Sequence, residues 1–438
     1  MRVRYLVLGL VVVLAGVVGV LVYRGTSTPV NDTSSDVVVT MTSTVPGSPT
    51  PPATTSEQPS TTADPSSPPP SGSSTEPATT TKKSTPKPTT TAPTPTAPTT
   101  SADGRPASNV PMVKLRKGEK APQFIIFSFD GAGSHDKWHE FMAAAEPTDS
   151  RFVGFLTGIY LLTTEHKDAY TGPGHAAGKA SIGFGGTSEE VITEVEDLNE
   201  AYSRGHEIGT HYNGHFCDDN PPGGNQWNTA DWNSELDQFF QFMQNWKKIN
   251  NLPDAPDLEV PTDTVKGGRT PCLTGTLDDL VPAWKNHGMT YDSSFSQGSG
   301  IVWPTRQQGI WEFQMPYVYS PGFSDMVLAM DYNFWVKFNN GADQPETAPQ
   351  LRQKVKQTYD YMYDQTYKGN RAPLIIANHF NTWNGDSFNP PALDFMKDKC
   401  GQKDVYCTTY QDVIAWMKIQ DPAVLQALQD KGAVATGP

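Results

Sequence analysis

The chain has 438 residues and a formal charge of −14. An acidic chain of this kind argues against nucleic acid or an anionic lipid surface as the partner. Seventeen of its 38 prolines fall in the first quarter; the remainder of the chain leaves roughly 310–330 residues able to fold, enough for one large domain with a full core.

Met1-Arg2-Val3-Arg4 is basic, and residues 5–23 carry no charge. As a helix this run spans roughly 28 Å, the thickness of a hydrocarbon core. Residues 1–24 are expected to form an uncleaved transmembrane signal anchor, with the N-terminus inside because basic residues precede it. A cleaved signal peptide, and hence secretion, is the alternative. Residues 25–110 are rich in Ser, Thr and Pro. They bury too little to offset their ordering entropy, so a disordered, stalk-like linker is predicted, reaching on the order of 200 Å. The expected setting is a single-pass protein of the cell membrane. Its folded domain, residues 111–420, then lies outside the cytoplasm, with 421–438 as a tail.

Within that domain, Gln123–Phe129 reads as a buried strand ending in Asp130-Gly131, and Arg151–Leu156 as a second. Thr187-Ser188-Glu189-Glu190 is a capping box opening an amphipathic helix. His206–Thr210 is the next strand and delivers His211, with His215 four residues on. Two imidazoles on one short loop suit a single metal ion, although either alone is an ordinary surface or core residue. Leu236–Trp246 marks a helix, Gly267–Cys272 a strand-end loop holding Arg269, and Leu277–Asn286 another helix. Met289–Tyr291 runs into Asp292-Ser293-Ser294. Residues 295–348 read as an irregular insertion, and Leu351–Tyr367 as helix. Leu374–Asn378 is a strand ending at His379, Asp404–Cys407 a last strand, and Val413–Met417 part of a final long helix.

Four cysteines in an exported domain suggest two disulfides. Closeness in sequence pairs Cys400 with Cys407, leaving Cys217 with Cys272. The alternation of strands and helices predicts a parallel α/β architecture, most simply a β/α barrel. Asp130, His211, Arg269, Asp292 and His379 all fall at strand C-termini, the face that carries active sites in such folds. Singly, each has a plainer reading: a turn aspartate, a structural ion pair, an Asx-turn at Asp292, a core histidine at 379.

Five ordered segments resemble the motifs of the NodB-homology polysaccharide deacetylases (carbohydrate esterase family 4), chitin-deacetylase-like branch. They are Phe127–Gly131, His211–His215, Arg269-Thr270-Pro271, Tyr291–Ser294 and Asn378-His379. The resemblance implies a distorted (β/α)7-type barrel and metal-dependent N-deacetylation of an extracytoplasmic amino-sugar polymer, chitin-like or peptidoglycan. It implies a divalent metal, zinc, on His211 and His215, with Asp130 as general base and Arg269 orienting it. His379 would be the general acid, tuned by Asp292, and a backbone N–H near Cys272 would help hold the oxyanion.

The chain departs from the pattern at Gly131, where the family carries a metal-binding aspartate. Three readings complete the site: water replaces that ligand, Asp130 shifts onto the metal, or a side chain such as His135 or Asp136 fills the space. Failing these, the domain is a noncatalytic carbohydrate-binding or wall-associated protein. Cys272 also stands where an aromatic is usual, and a Cys217–Cys272 bridge there would tie the histidine loop to the Arg269 loop.

Overall fold

A largely apolar run, broken inside by Ser128, makes the central strand. In β1 (Gln123–Gly131) every residue up to Asp130 is buried, the pattern of a parallel strand covered on both faces. The computed structural model describes residues 105–296 and 298–437. The anchor at 1–24 and nearly all of the linker lie outside the described residues. Among those residues no helix is long and apolar enough to cross a membrane.

After β1 come α1 (His135–Ala145), β2 (Val153–Leu156), α2 (Ser188–Ser203), β3 (Glu207–Thr210), α3 (Thr229–Ile249), β4 (Gly267–Gly268), α4 (Leu277–Asn286) and β5 (Tyr291–Asp292). Then follow β6 (Thr305–Gln307), β7 (Ile310–Glu312), β8 (Tyr317–Ser320), β9 (Asp325–Leu328), α5 (Asp331–Asn339) and α6 (Ala348–Lys368). The chain ends with β10 (Leu374–His379), α7 (Asn389–Lys399), β11 (Val405–Cys407), α8 (Tyr410–Ile419) and α9 (Pro422–Gln429). The main sheet has the order β10-β1-β2-β3-β4-β5-β7-β6, with β11 also on β1. All its pairings are parallel except the β6–β7 hairpin. This is a parallel α/β sheet with its helices packed around it.

Local signals explain several boundaries. The capping box at the start of α2 is formed: Thr187 N donates to Glu190 Oε2 at 2.7 Å, and Glu190 N to Thr187 Oγ1 at 3.2 Å. Both disulfides join the expected partners, with Cα separations of 6.0 Å for Cys217–Cys272 and 5.5 Å for Cys400–Cys407.

The stretch 295–348 corrects the sequence expectation of an irregular insertion. It holds β6 to β9 and α5. These strands are three or four residues long, too short for a period-two pattern to emerge from the sequence. Beyond residue 420, α9 buries Leu428, and Val434 bridges Ile301, so this stretch packs on the domain.

Candidate active site

Strand register assembles the cluster. Asp130 on β1 is the direct cross-strand partner of His379 on β10. Gly268 lies beside both Thr210 and Asp292, so the residues that follow, His211, Arg269 and Ser293, leave the sheet together. All are at the carboxyl ends of parallel strands, where open α/β sheets place their ligands.

Arg269 is the hub, and it is fully buried. Its Nη1 donates to Asp130 Oδ1 at 2.7 Å and its Nε to the Ser293 carbonyl at 2.7 Å. Nη2 reaches Ser128 Oγ, Ser293 Oγ and Tyr410 Oη at 3.1, 3.0 and 3.0 Å, and the guanidinium lies over Phe155, 5.0 Å from its centroid. The fork is therefore held from all three of its nitrogens. Burial alone would raise the Asp130 pKa, but the charge and hydrogen bond of Arg269, with the charge of His379, outweigh it and hold the carboxyl below its ordinary value.

The His211–His215 loop is built by close packing. Tyr212 and His215 take positive φ, 57° and 54°. A Cβ on Gly214 would stand 2.2 Å from Tyr170 Oη, so glycine is required there. The buried Glu235 of α3 accepts from Asn213 N at 3.2 Å and from Tyr170 Oη at 2.6 Å, and Trp284 Nε1 donates to Tyr212 Oη at 2.6 Å. His211 Nδ1 donates to the Arg269 carbonyl at 2.8 Å, while Nε2 is buried with no hydrogen-bond partner among the described residues. That is the arrangement of a ligating imidazole, one nitrogen fixed by a carbonyl and the other presenting its lone pair. The sulfurs of the Cys217–Cys272 bridge lie 3.7 and 3.9 Å from His215 Nδ1. Burial, reinforced by neighbouring cations, pushes His211 down to about 4, and His215 is pushed down to about 3 by burial and His211. Both rings are neutral near pH 7, as metal binding requires.

His379 finds its carboxylate on α5. The bridge between Met330 and Ala377 sets Asp331 beside it. Its Nδ1 donates to Asp331 Oδ1 at 2.9 Å and its backbone N to Oδ2 at 2.6 Å. Burial would lower the imidazole pKa, but Asp331 and Asp130 overcome this and raise it. Asp292, expected beside His379, instead accepts from Ser294 N at 2.7 Å and Ser294 Oγ at 2.6 Å. It makes the Asx-turn that its Asp-Ser-Ser sequence allows. Ser294 Oγ in turn accepts from Thr270 N at 2.9 Å, so Asp292 supports the Arg269 loop.

Asp292 also faces Glu312 across β5–β7. Burial pushes Asp292 up to about 7, and burial together with the charge of Asp292 pushes Glu312 well above its usual range. Both carboxyls titrate higher folded than unfolded. Their contribution to stability is therefore present at low pH and lost as pH rises through about 7. Glu312→Gln is expected to add on the order of 2 kcal/mol of stability at about pH 8 and almost nothing at about pH 4, read by urea unfolding. An equal effect at both pH values would rule out a raised Glu312 pKa as its cause.

At Gly131 φ is +78°, and a Cβ there would meet only Tyr160, at 3.5 and 3.8 Å. His135 does not fill this space, since it turns to Asp197. Among the described residues, Asp130, His211 and His215 are not one of the groups whose ligand atoms converge within 4.8 Å. What fits an ion here is the buried lone pair of His211 Nε2, which has no hydrogen-bond partner; among the described residues no third protein ligand converges with the two imidazoles. Beside His379, Trp383 lies 5.0 Å away between ring centroids, stacks on Trp335 at 5.7 Å and meets Tyr332 at 5.7 Å. All three are partly exposed.

Asp331, Tyr410, Glu235 and Glu312 were not singled out from sequence. Tyr410 had a signal, as the first residue of the helix after the last strand. The isolated acids had none, because nothing in a sequence marks which carboxylate is buried.

No family model and no curated protein matches the chain. Solved structures similar to it include a Mycobacterium smegmatis protein assigned to the polysaccharide deacetylases, 12% identical, TM-score 0.41, covering 75% of this chain and 98% of that one. The Colletotrichum lindemuthianum chitin deacetylase is 13% identical, TM-score 0.33, covering 68% and 89%. A carbohydrate esterase family 4 pseudoenzyme from Bacillus anthracis is 9% identical, TM-score 0.32, covering 66% of each chain. Likeness at this level says nothing of substrate, and the chemistry has to come from the side chains.

Proposed function

We propose that this chain, whose motifs resemble the NodB-homology polysaccharide deacetylases of carbohydrate esterase family 4, removes N-acetyl groups from an extracytoplasmic amino-sugar polymer. The observation that carries the reading is the pairing of Asp130–Arg269 with His379–Asp331 across adjacent strands, one carboxyl held low and one imidazole held high. Arg269 occupies one oxygen of Asp130 and leaves the other to take a proton from the attacking water. His379, fixed through Nδ1 by Asp331, keeps Nε2 for the proton that the departing amine needs. His211 and His215 hold a divalent ion, zinc by their donor chemistry, which supplies polarisation of the acetyl carbonyl and a lowered pKa for water. Trp383, Trp335 and Tyr332 give sugar rings a flat apolar wall. The frame is the distorted (β/α)7-type barrel of the resemblance, and the anchor and linker tether it outside the membrane; the linker ends before Asn109 and Val110, which pack on the domain, rather than extending to 110.

The test is acetate release from N-acetylglucosamine oligomers and peptidoglycan fragments, with and without chelator, across pH. Asp130 must be ionised, so activity falls as pH drops through its lowered pKa. His379 must be protonated, so activity falls as pH rises through its raised pKa. Asp331→Asn removes the charge that raises His379 and moves the alkaline limb to lower pH, leaving the acid limb in place. An unmoved alkaline limb would exclude His379 as the acid.

Gly131 favours one other reading, a glycan-binding protein that has lost the chemistry. It requires oligosaccharide binding with no acetate release and no metal retained through dialysis.

A further inference from the structure

A second set of metal-ligating side chains stands apart from the Arg269 cluster, on the outer helices. α1 carries His135 and His139 one turn apart, so both rings share a face, with centroids 4.4 Å apart. α2 packs against α1 and sets Asp197 opposite them. Asp197 Oδ1 lies 2.9 Å from His135 Nδ1 and 3.2 Å from His139 Nε2, and Oδ2 lies 3.0 Å from His135 Nδ1. One turn on, Glu200 Oε2 is 3.9 Å from His139 Nε2, while its other oxygen accepts from Arg204 at 2.6 Å. The Asp197 side chain is 3% exposed and the two imidazoles 56% and 45%. The carboxylate is therefore the floor of the group, and the imidazoles are its open walls.

Two hydrogen bonds to a buried carboxylate would by themselves hold the helices together. The geometry goes further, because ligand atoms of all three residues converge within 4.8 Å of one another. Zinc bonds of about 2.0–2.1 Å in a tetrahedron put neighbouring ligand atoms about 3.3 Å apart, close to the nitrogen–oxygen separations found here. Two imidazoles with one carboxylate select borderline ions such as zinc, cobalt, nickel or copper over calcium and magnesium.

We propose that His135, His139 and Asp197 form a second transition-metal site that clamps α1 to α2, with a position left open for water or Glu200. Binding replaces the hydrogen bonds to Asp197: each neutral ring turns its N–H to the nitrogen facing solvent and presents the other nitrogen's lone pair to the ion. α1 begins shortly after Gly131, so the clamp also fixes the turn that leaves the Asp130 strand. The site does not depend on the deacetylase reading.

Cobalt(II) and zinc titrations of the full chain, without a polyhistidine tag, test this. In His211→Ala/His215→Ala protein one equivalent should still bind and raise Tm. Adding His139→Ala should abolish both effects, and Asp197→Asn should weaken binding at least about tenfold. Should that background fail to fold, the wild-type chain carries the same test, since His135→Ala/His139→Ala should remove one equivalent from it. No uptake by the folded His211→Ala/His215→Ala chain, or uptake indifferent to His135 and His139, overturns the proposal.

Discussion

Asp130→Asn should lower the rate of acetate release by about 10²- to 10⁴-fold, the usual contribution of a positioned general base. The amide keeps the shape of the carboxylate, and its oxygen still accepts from Arg269 Nη1, now 2.7 Å from Asp130 Oδ1. What is lost is the negative charge and the capacity to take a proton. The effect should therefore fall on kcat, with KM little changed, because the aromatics beside His379 are untouched. Near-ultraviolet circular dichroism and urea unfolding separate this from misfolding. Equal acetate release by wild type and Asp130→Asn would end the assignment of Asp130 as the base, whatever its hydrogen bonds.

The strand ends were legible because parallel strands buried on both faces read as apolar runs, and a polar residue closing such a run stands out. Asp130 after Phe124–Phe129, and His379 after Leu374–Ala377, are of this kind. The helices at 188–203 and 277–286 were legible through a capping box and a spaced apolar face. Asp331 was hidden for the opposite reason. It follows strands too short to show a period, and its contact with His379 depends on one isolated bridge between residues 47 apart in sequence, Met330 and Ala377. The resemblance assigns Asp292 to tuning His379, whereas its sequence, Asp-Ser-Ser, describes the local turn that it forms. Where a side chain has a partner two residues away, that local bond competes directly with any distant one.

Arg269→Ala should be the most destabilising single change at the site, costing on the order of 3–5 kcal/mol near pH 7. The substitution strips the hydrogen bonds to Asp130, Ser128, Ser293 and Tyr410 and leaves a buried carboxylate without its cation. Arg269→Lys should recover only part of this, since one ammonium cannot span the same fork. The cost should also depend on pH, and its sign follows from Asp130. In the wild type the Asp130 pKa is lowered, so its contribution to stability is present above the unfolded value near 3.8 and lost as pH falls through the folded one. Without Arg269 the largest remaining influence is burial, which raises the pKa and makes the ionised form a penalty. The stability gap between wild type and Arg269→Ala should then be widest near neutral pH and shrink steadily on acidification toward about pH 4 and below. A gap that stayed constant would mean that the loss comes from packing and neutral hydrogen bonds alone. In that case the Asp130–Arg269 pair would contribute geometry rather than charge, and a carboxyl held low enough to act as a base would need another source.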